Sequence, residues 1–140
     1  MRRKKTKTLY RLAIESVADK GYGIARSEGK VVFVEKTIPG DVVDVRIQKN
    51  KSDYAMGFAE LFHTCSPLRI PAFCAHFGVC GGCTWQNIAY NTQLQLKKQL
   101  VEDAFRRIGK IVELPPLPDV LASPYEKYYR NKLEFTFSAN

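Results

Sequence analysis

The sequence predicts a β domain followed by α+β structure. The expected order is a small closed five-stranded antiparallel barrel, a metal-bound cysteine loop, one amphipathic helix and the first strand of a further sheet. Three observations carry this reading. Short apolar runs recur between Leu9 and Phe62, separated by glycine- and proline-bearing turns. All four cysteines fall between Cys65 and Cys83, where no period is evident. Apolar residues then return at helical spacing from Leu94 to Ile108.

Leu9–Val17 reads as the first strand, Lys20-Gly21-Tyr22-Gly23 turns the chain, and Gly29-Lys30 opens the apolar run Val31-Val32-Phe33-Val34. In Ile38-Pro39-Gly40-Asp41 the proline presets φ and the glycine accepts the positive φ of a tight turn. Val43, Val45 and Ile47 then face one way and Asp44, Arg46 and Gln48 the other, the period-two alternation of a half-buried strand. A polar hairpin over Lys49–Asp53 returns the chain into Tyr54–Phe62. Closing such strands into a barrel buries their apolar face without long open edges.

From His63 to about Ala89 no regular element is expected, and a stretch this irregular needs a tie other than packing. Asn91 or Thr92 is the expected helix cap. Leu94, Val101, Ala104, Phe105 and Ile108 form the apolar stripe with Leu100 beside it, and Gly109 suits the left-handed residue that ends the helix. Leu114-Pro115-Pro116-Leu117-Pro118 excludes helix interior and central strand and reads as a linker, while Arg130–Ser138 alternates as a strand. The expected organisation is a basic arm (1–8), the barrel (9–62) and an incomplete central domain (63–140). The last divides into cysteine loop (65–89), helix (91–109), linker (110–126) and first strand (127–140). A sheet that begins as the chain reaches Asn140 is expected to continue in a longer protein.

The chain has 140 residues, too few for most complete enzymes on a doubly wound sheet, and no run of about 20 apolar residues of the kind a membrane span needs. With no secretory signal pattern, it is expected in the cytoplasm. Of a net charge of +8, six cations (Arg2, Arg3, Lys4, Lys5, Lys7 and Arg11) and no acid lie in the first eleven residues, leaving +2 for the rest. A cationic arm gains affinity for a polyanion by releasing counterions, so nucleic acid or an anionic membrane surface is favoured as a partner; of the two, RNA and not membrane is the expectation carried forward. A solubilising tail is the competing reading. Arg130 and Lys132 are expected to add to the RNA contacts made by Arg2, Arg3, Lys4, Lys5 and Lys7.

Cys65, Cys74, Cys80 and Cys83 are separated by eight, five and two residues. In a reducing compartment such clustering favours metal over disulfides. Glycines inside Cys80-Gly81-Gly82-Cys83 let backbone N–H groups approach thiolate sulfur. A thioredoxin-like dithiol would open a helix directly after a strand, which this segment does not. A four-cysteine zinc site is usually built from two paired C-x2-C knuckles, and Cys65 and Cys74 are not such a pair. An iron–sulfur cluster accepts uneven spacing more readily. Composition leaves zinc and iron–sulfur open. His76 reads as a loop histidine and Trp85 as packing around the site.

These residues carry a resemblance. The chain resembles the N-terminal part of the bacterial RNA uracil-5 methyltransferases, in the iron–sulfur branch that makes 5-methyluridine in 23S ribosomal RNA. Gly21-Tyr22-Gly23-Ile24-Ala25, Val32-Phe33-Val34 and Ile38-Pro39-Gly40-Asp41 are similar to the turns of that family's TRAM domain, an OB-like RNA-binding barrel. The segment from Pro71 to Gln86 is similar to its cluster segment, and Tyr128–Phe135 to the start of its central RNA-binding sheet. The resemblance implies Cys74, Cys80 and Cys83 as three ligands of a four-iron four-sulfur cluster. The family's fourth ligand lies beyond residue 140, and Cys65 matches none. The S-adenosylmethionine site, nucleophilic cysteine and general base lie downstream as well, so no catalytic residue is expected here and the chain alone should be inactive. The competing reading is a stand-alone zinc-bearing RNA-binding or ribosome-associated protein.

Overall fold

The structure, a computed structural model, describes residues 7–79, 82–129 and 132. Its strands are β1 (Thr8–Ala13), β2 (Ser16–Val17), β3 (Gly23–Ser27), β4 (Lys30–Glu35), β5 (Val42–Asn50) and β6 (Tyr54–Thr64). One long helix, α1 (Tyr90–Arg107), follows. Six strands, rather than the expected five, form one curled sheet, a half-barrel, in the order β1-β5-β6-β4-β3-β2.

Leu9–Val17 is not one straight strand. β1 pairs with β5, whereas β2 pairs with β3 at the far edge. The chain changes partner across Ile14 and Glu15, whose N–H groups donate to the carbonyls of Asp41 (2.9 Å) and Ile24 (2.8 Å). The sheet is also not antiparallel throughout, because β4 and β6 pair in parallel from Val31↔Tyr54 to Glu35↔Phe58. Hairpin logic makes sequential neighbours antiparallel. It says nothing of β4 and β6, which curling brings together with β5 between them in sequence.

Alternation is confirmed in β5: Val43, Val45 and Ile47 are buried with Ile14, Ala25, Val32, Val34 and Ala55 in the barrel core. The Ile38–Asp41 turn forms as expected, with Gly40 at φ 91° and the Asp41 N–H donating to Ile38 O at 3.1 Å. A second core of Val17, Ile38, Ile88 and Leu96, flanked by Trp85 and Leu100, joins the barrel to the segment before α1 and to α1 itself.

The helix differs in three ways from the sequence expectation. Its N-cap is Ala89, with no side-chain cap, rather than Asn91 or Thr92. Instead the Gln93 amide reaches back to the carbonyls of Trp85 (2.9 Å) and Ile88 (2.8 Å). Gly109 is not left-handed; Lys110 is, at φ 55°. Gly109 is needed for space, since a Cβ there would sit 2.7 Å from the Phe105 carbonyl oxygen. Finally, Leu96 and Leu100 face the second core, while Val101, Phe105 and Ile108 of the expected stripe are exposed. An open apolar groove of about 450 Å³ runs along Leu100, Val101, Ala104, Phe105 and Ile108.

The linker turns back along α1. Lys98 pairs with Asp119 at 2.8 Å, and the Ser123 N–H donates to the Tyr90 hydroxyl at 2.8 Å. The strand expected over Arg130–Ser138 lies outside the described residues, apart from Lys132. Among the described residues no helix is long and apolar enough to cross a membrane.

Candidate nucleic-acid interface and cysteine segment

The cysteine segment is a loop closed at its neck. Arg69 and Ile88 form an isolated bridge, and the Ile70 N–H donates to Asn87 O at 2.9 Å. Inside it, turns closed by Phe77 N–H to Cys74 O and Val79 N–H to His76 O, both 3.1 Å, shape residues 74–79. The Cys74 N–H donates to Gln86 Oε1 at 3.3 Å, tying the front of the loop to its return. Lys127 lies 4.6 Å over the ring of Phe73.

The barrel holds this loop at three places. Lys36 Nζ donates to the Gly78 carbonyl at 2.7 Å. Gly21, at φ 77°, lies against Thr84 and Trp85 so closely that a Cβ would fall 2.2 Å from Thr84 Cγ2 and 2.8 Å from Trp85 Nε1. The third place is a buried ionic node. Asp41, 0% exposed, receives Arg69 through Nε (2.8 Å) and Nη2 (2.5 Å), the Ser66 N–H (2.9 Å) and the Ile38 N–H (2.8 Å). One carboxylate thus fixes the barrel turn to the exit of β6, and hydrogen bonding from Asp41 raises the Arg69 pKa above its ordinary value. Arg69 also stacks on Phe62, 5.0 Å from the ring centroid.

Cys74 and Cys83 are free thiols inside this loop, half-buried and exposed respectively, while Cys65 is a free, exposed thiol directly after β6. Cys80 lies outside the described residues. Thiol donors in a loop closed by Cys74 and Gln86 fit the chemistry of a thiophilic centre. Among the described residues no three Cys, His, Asp or Glu side chains gather to hold an ion. Trp85, expected to pack, does so: it borders the second core, with its buried indole N–H lacking a partner among the described residues.

Of the expected RNA contacts, Lys7 is exposed and pairs with Glu28 at 3.3 Å. Lys132 is described, whereas Arg2, Arg3, Lys4, Lys5 and Arg130 lie outside the described residues. Arg11, counted among the cations of the first eleven residues, lies within β1. A bulge between Leu9 and Leu12 puts Arg11 at φ 51° and turns Tyr10 outward. Arg11 Nη1 then approaches His63 Nδ1 at 3.4 Å, and Asp44 Oδ1 meets both the Arg11 N–H (2.8 Å) and His63 Nε2 (2.7 Å). The backbone hydrogen bond from Arg11 is the main cause holding Asp44 below the ordinary carboxylate pKa. Desolvation opposes it and His63 assists.

Residues 3–59 match the TRAM domain model. It is 50% identical over 122 residues to an uncharacterised RNA methyltransferase of Bacteroides thetaiotaomicron, covering 87% of this chain and 27% of that protein. It is 46% identical over 107 residues to a 23S rRNA (uracil(1939)-C(5))-methyltransferase of Methylococcus capsulatus, covering 74% of this chain and 24% of that protein. A crystal structure of the Pyrococcus abyssi tRNA (uracil-54, C5)-methyltransferase with S-adenosyl-L-homocysteine aligns with a TM-score of 0.47 at 30% identity, over 78% of this chain and 24% of that one. Over most of its length the chain is homologous to the N-terminal part of proteins named as RNA methyltransferases, and it spans about a quarter of their length.

Proposed function

We propose that this chain is the RNA-gripping N-terminal region of an S-adenosylmethionine-dependent enzyme that methylates uracil C5 in ribosomal RNA. The observation that carries the proposal is the TRAM domain joined, in one homologous stretch, to a cysteine loop buttressed by Asp41, Lys36 and Gly21. In this reading the barrel and the arm contribute phosphate contacts, and methyl transfer belongs to residues beyond 140. Cys74, Cys80 and Cys83 would hold a four-iron four-sulfur cluster whose part here is structural, clamping a loop that apolar burial alone does not order.

The test uses the complete protein, with and without the basic arm, residues 1–8. The intact protein should form 5-methyluridine in 23S rRNA from S-adenosylmethionine. The shortened one should show a raised KM for RNA with methyl transfer retained on a short uridine oligonucleotide. Absence of 5-methyluridine with the intact protein, on any ribosomal RNA, would overturn the assignment. The 140-residue chain alone should neither bind S-adenosylmethionine nor methylate. Saturable cofactor binding by calorimetry would contradict that division of labour.

A further inference from the structure

One end of the barrel combines cations with aromatic rings in a way the proposed function does not yet use. The β3–β4 turn and the β5–β6 hairpin meet there, linked by Lys30 Nζ donating to the Lys51 carbonyl at 3.0 Å. The mouth between them is lined by Lys7, Glu28, Lys30 and Asn50, over a floor of Val32, Ile47 and Ala55. Lys49 and Lys51 are exposed. Among the described residues neither they nor Lys30 has a carboxylate partner. Lys7, the first described residue, is anchored at the same end: its carbonyl accepts from Ile47 N–H at 2.9 Å, and its ammonium holds Glu28.

Beside these lysines stand two half-buried rings on the outer sheet face. Phe33 of β4 and Tyr54 of β6 meet edge to face, their centroids 5.9 Å apart and their planes at 75°. Lys49 Nζ lies 5.7 Å from the Tyr54 centroid. The edge-on contact with Phe33 fixes the tyrosine plane, and its neighbour is a long lysine without a carboxylate partner that can swing to a phosphate. A flat ring oriented by an aromatic neighbour, with a displaceable ammonium lying over it, suits a nucleobase that takes the ammonium's place while its backbone runs past the lysines.

We propose that this rim is a platform for an unpaired RNA strand, with Tyr54 stacking one base, Phe33 bracing it, and Lys30, Lys49 and Lys51 meeting the adjacent phosphates. The inference rests on the RNA-binding reading and adds strand type and location to it. Duplex RNA keeps its base faces stacked on one another and cannot use Tyr54.

The test titrates the 140-residue chain with a fluorescein-labelled oligouridylate, the same strand annealed to its complement, and inorganic polyphosphate, across a salt series. Tyr54→Leu should weaken oligouridylate binding by about tenfold and leave duplex and polyphosphate unchanged. Lys49→Gln with Lys51→Gln should reduce the slope of log affinity against log salt for the single strand by about 1.4. Because a substitution could disturb the sheet, the unaltered chain is also photo-crosslinked to a 4-thiouridine oligonucleotide, and the adduct should map to the peptides containing Phe33 or Tyr54. Adducts confined to other peptides, equal loss with polyphosphate, or wild-type affinity in Tyr54→Leu would overturn the platform while leaving RNA binding intact. Failure of every RNA to bind would remove both readings together.

Discussion

At the residue scale, Gly21 joins the barrel to the cysteine loop. Its place in a turn was legible from the glycine-bearing segment, but its contact was not, since Thr84 and Trp85 are more than sixty residues away in sequence. Gly21→Ala should cost about 2 kcal/mol or more, from left-handed backbone strain and collision with the Thr84 methyl. Adding Thr84→Ser should restore part of that stability in urea unfolding. Additive destabilisation would mean that the contact does not matter. Asp41 was read only as a turn residue, whereas it is the buried acceptor for Arg69. Asp41→Asn should cost about 3 kcal/mol because it leaves a partly buried guanidinium poorly paired, and an unfolding midpoint within error of wild type would contradict this. Asp44 sets a pH dependence. Its folded pKa is lowered, so its stabilisation is complete above the ordinary value of 3.8 and is lost as pH falls through the folded one. The stability gap between the wild type and Asp44→Asn should therefore close as the pH falls below the ordinary carboxylate range. A gap that persists in strong acid would exclude this origin. For the cysteines, anaerobic expression followed by iron and sulfide assay should show metal absent from Cys80→Ser and kept in Cys65→Ser. Zinc bound by all four sulfurs would replace the three-ligand cluster.

At the element scale, period-two alternation identified β5 directly, because every inward residue of Val43, Val45 and Ile47 enters the core. The division of Leu9–Val17 into β1 and β2 was not legible, since the change of partner at Ile14 depends on hydrogen bonds to Asp41 and Ile24 from other parts of the chain. Helical spacing located α1 but misjudged its buried side. Leu94, Val101, Phe105 and Ile108 make the more regular stripe, yet the contacts to Val17, Ile38 and Ile88 fall to Leu96 and Leu100. Periodicity reports that a face is apolar, and only the tertiary partner decides which face is covered. Leu96→Ala should accordingly destabilise the protein by about 2–4 kcal/mol. Val101→Ala, at a side chain 48% exposed, should cost well under half as much. Equal thermal shifts would contradict the assignment of faces.

At the scale of the whole molecule, the sheet, the cysteine loop and α1 share the second core, so under the proposed function RNA held by the sheet would be held in fixed relation to the loop. The turns and alternating strands of the sheet were legible from local sequence. The parallel β4–β6 pairing was not, because it follows from the path of the chain through the curled sheet and from no local signal. A region that grips RNA through phosphates must release counterions as it binds, so the salt dependence of RNA affinity reads that grip without an intermediate step. The measurement compares the chain with a form lacking residues 1–8, which removes Arg2, Arg3, Lys4, Lys5 and Lys7. Log affinity should fall linearly with log salt for the whole chain, and in the shortened form the slope should flatten by about 0.7 for each phosphate no longer neutralised. An unchanged slope would show that the arm touches no phosphate, and a flat line for the intact chain would contradict an electrostatic grip on RNA altogether.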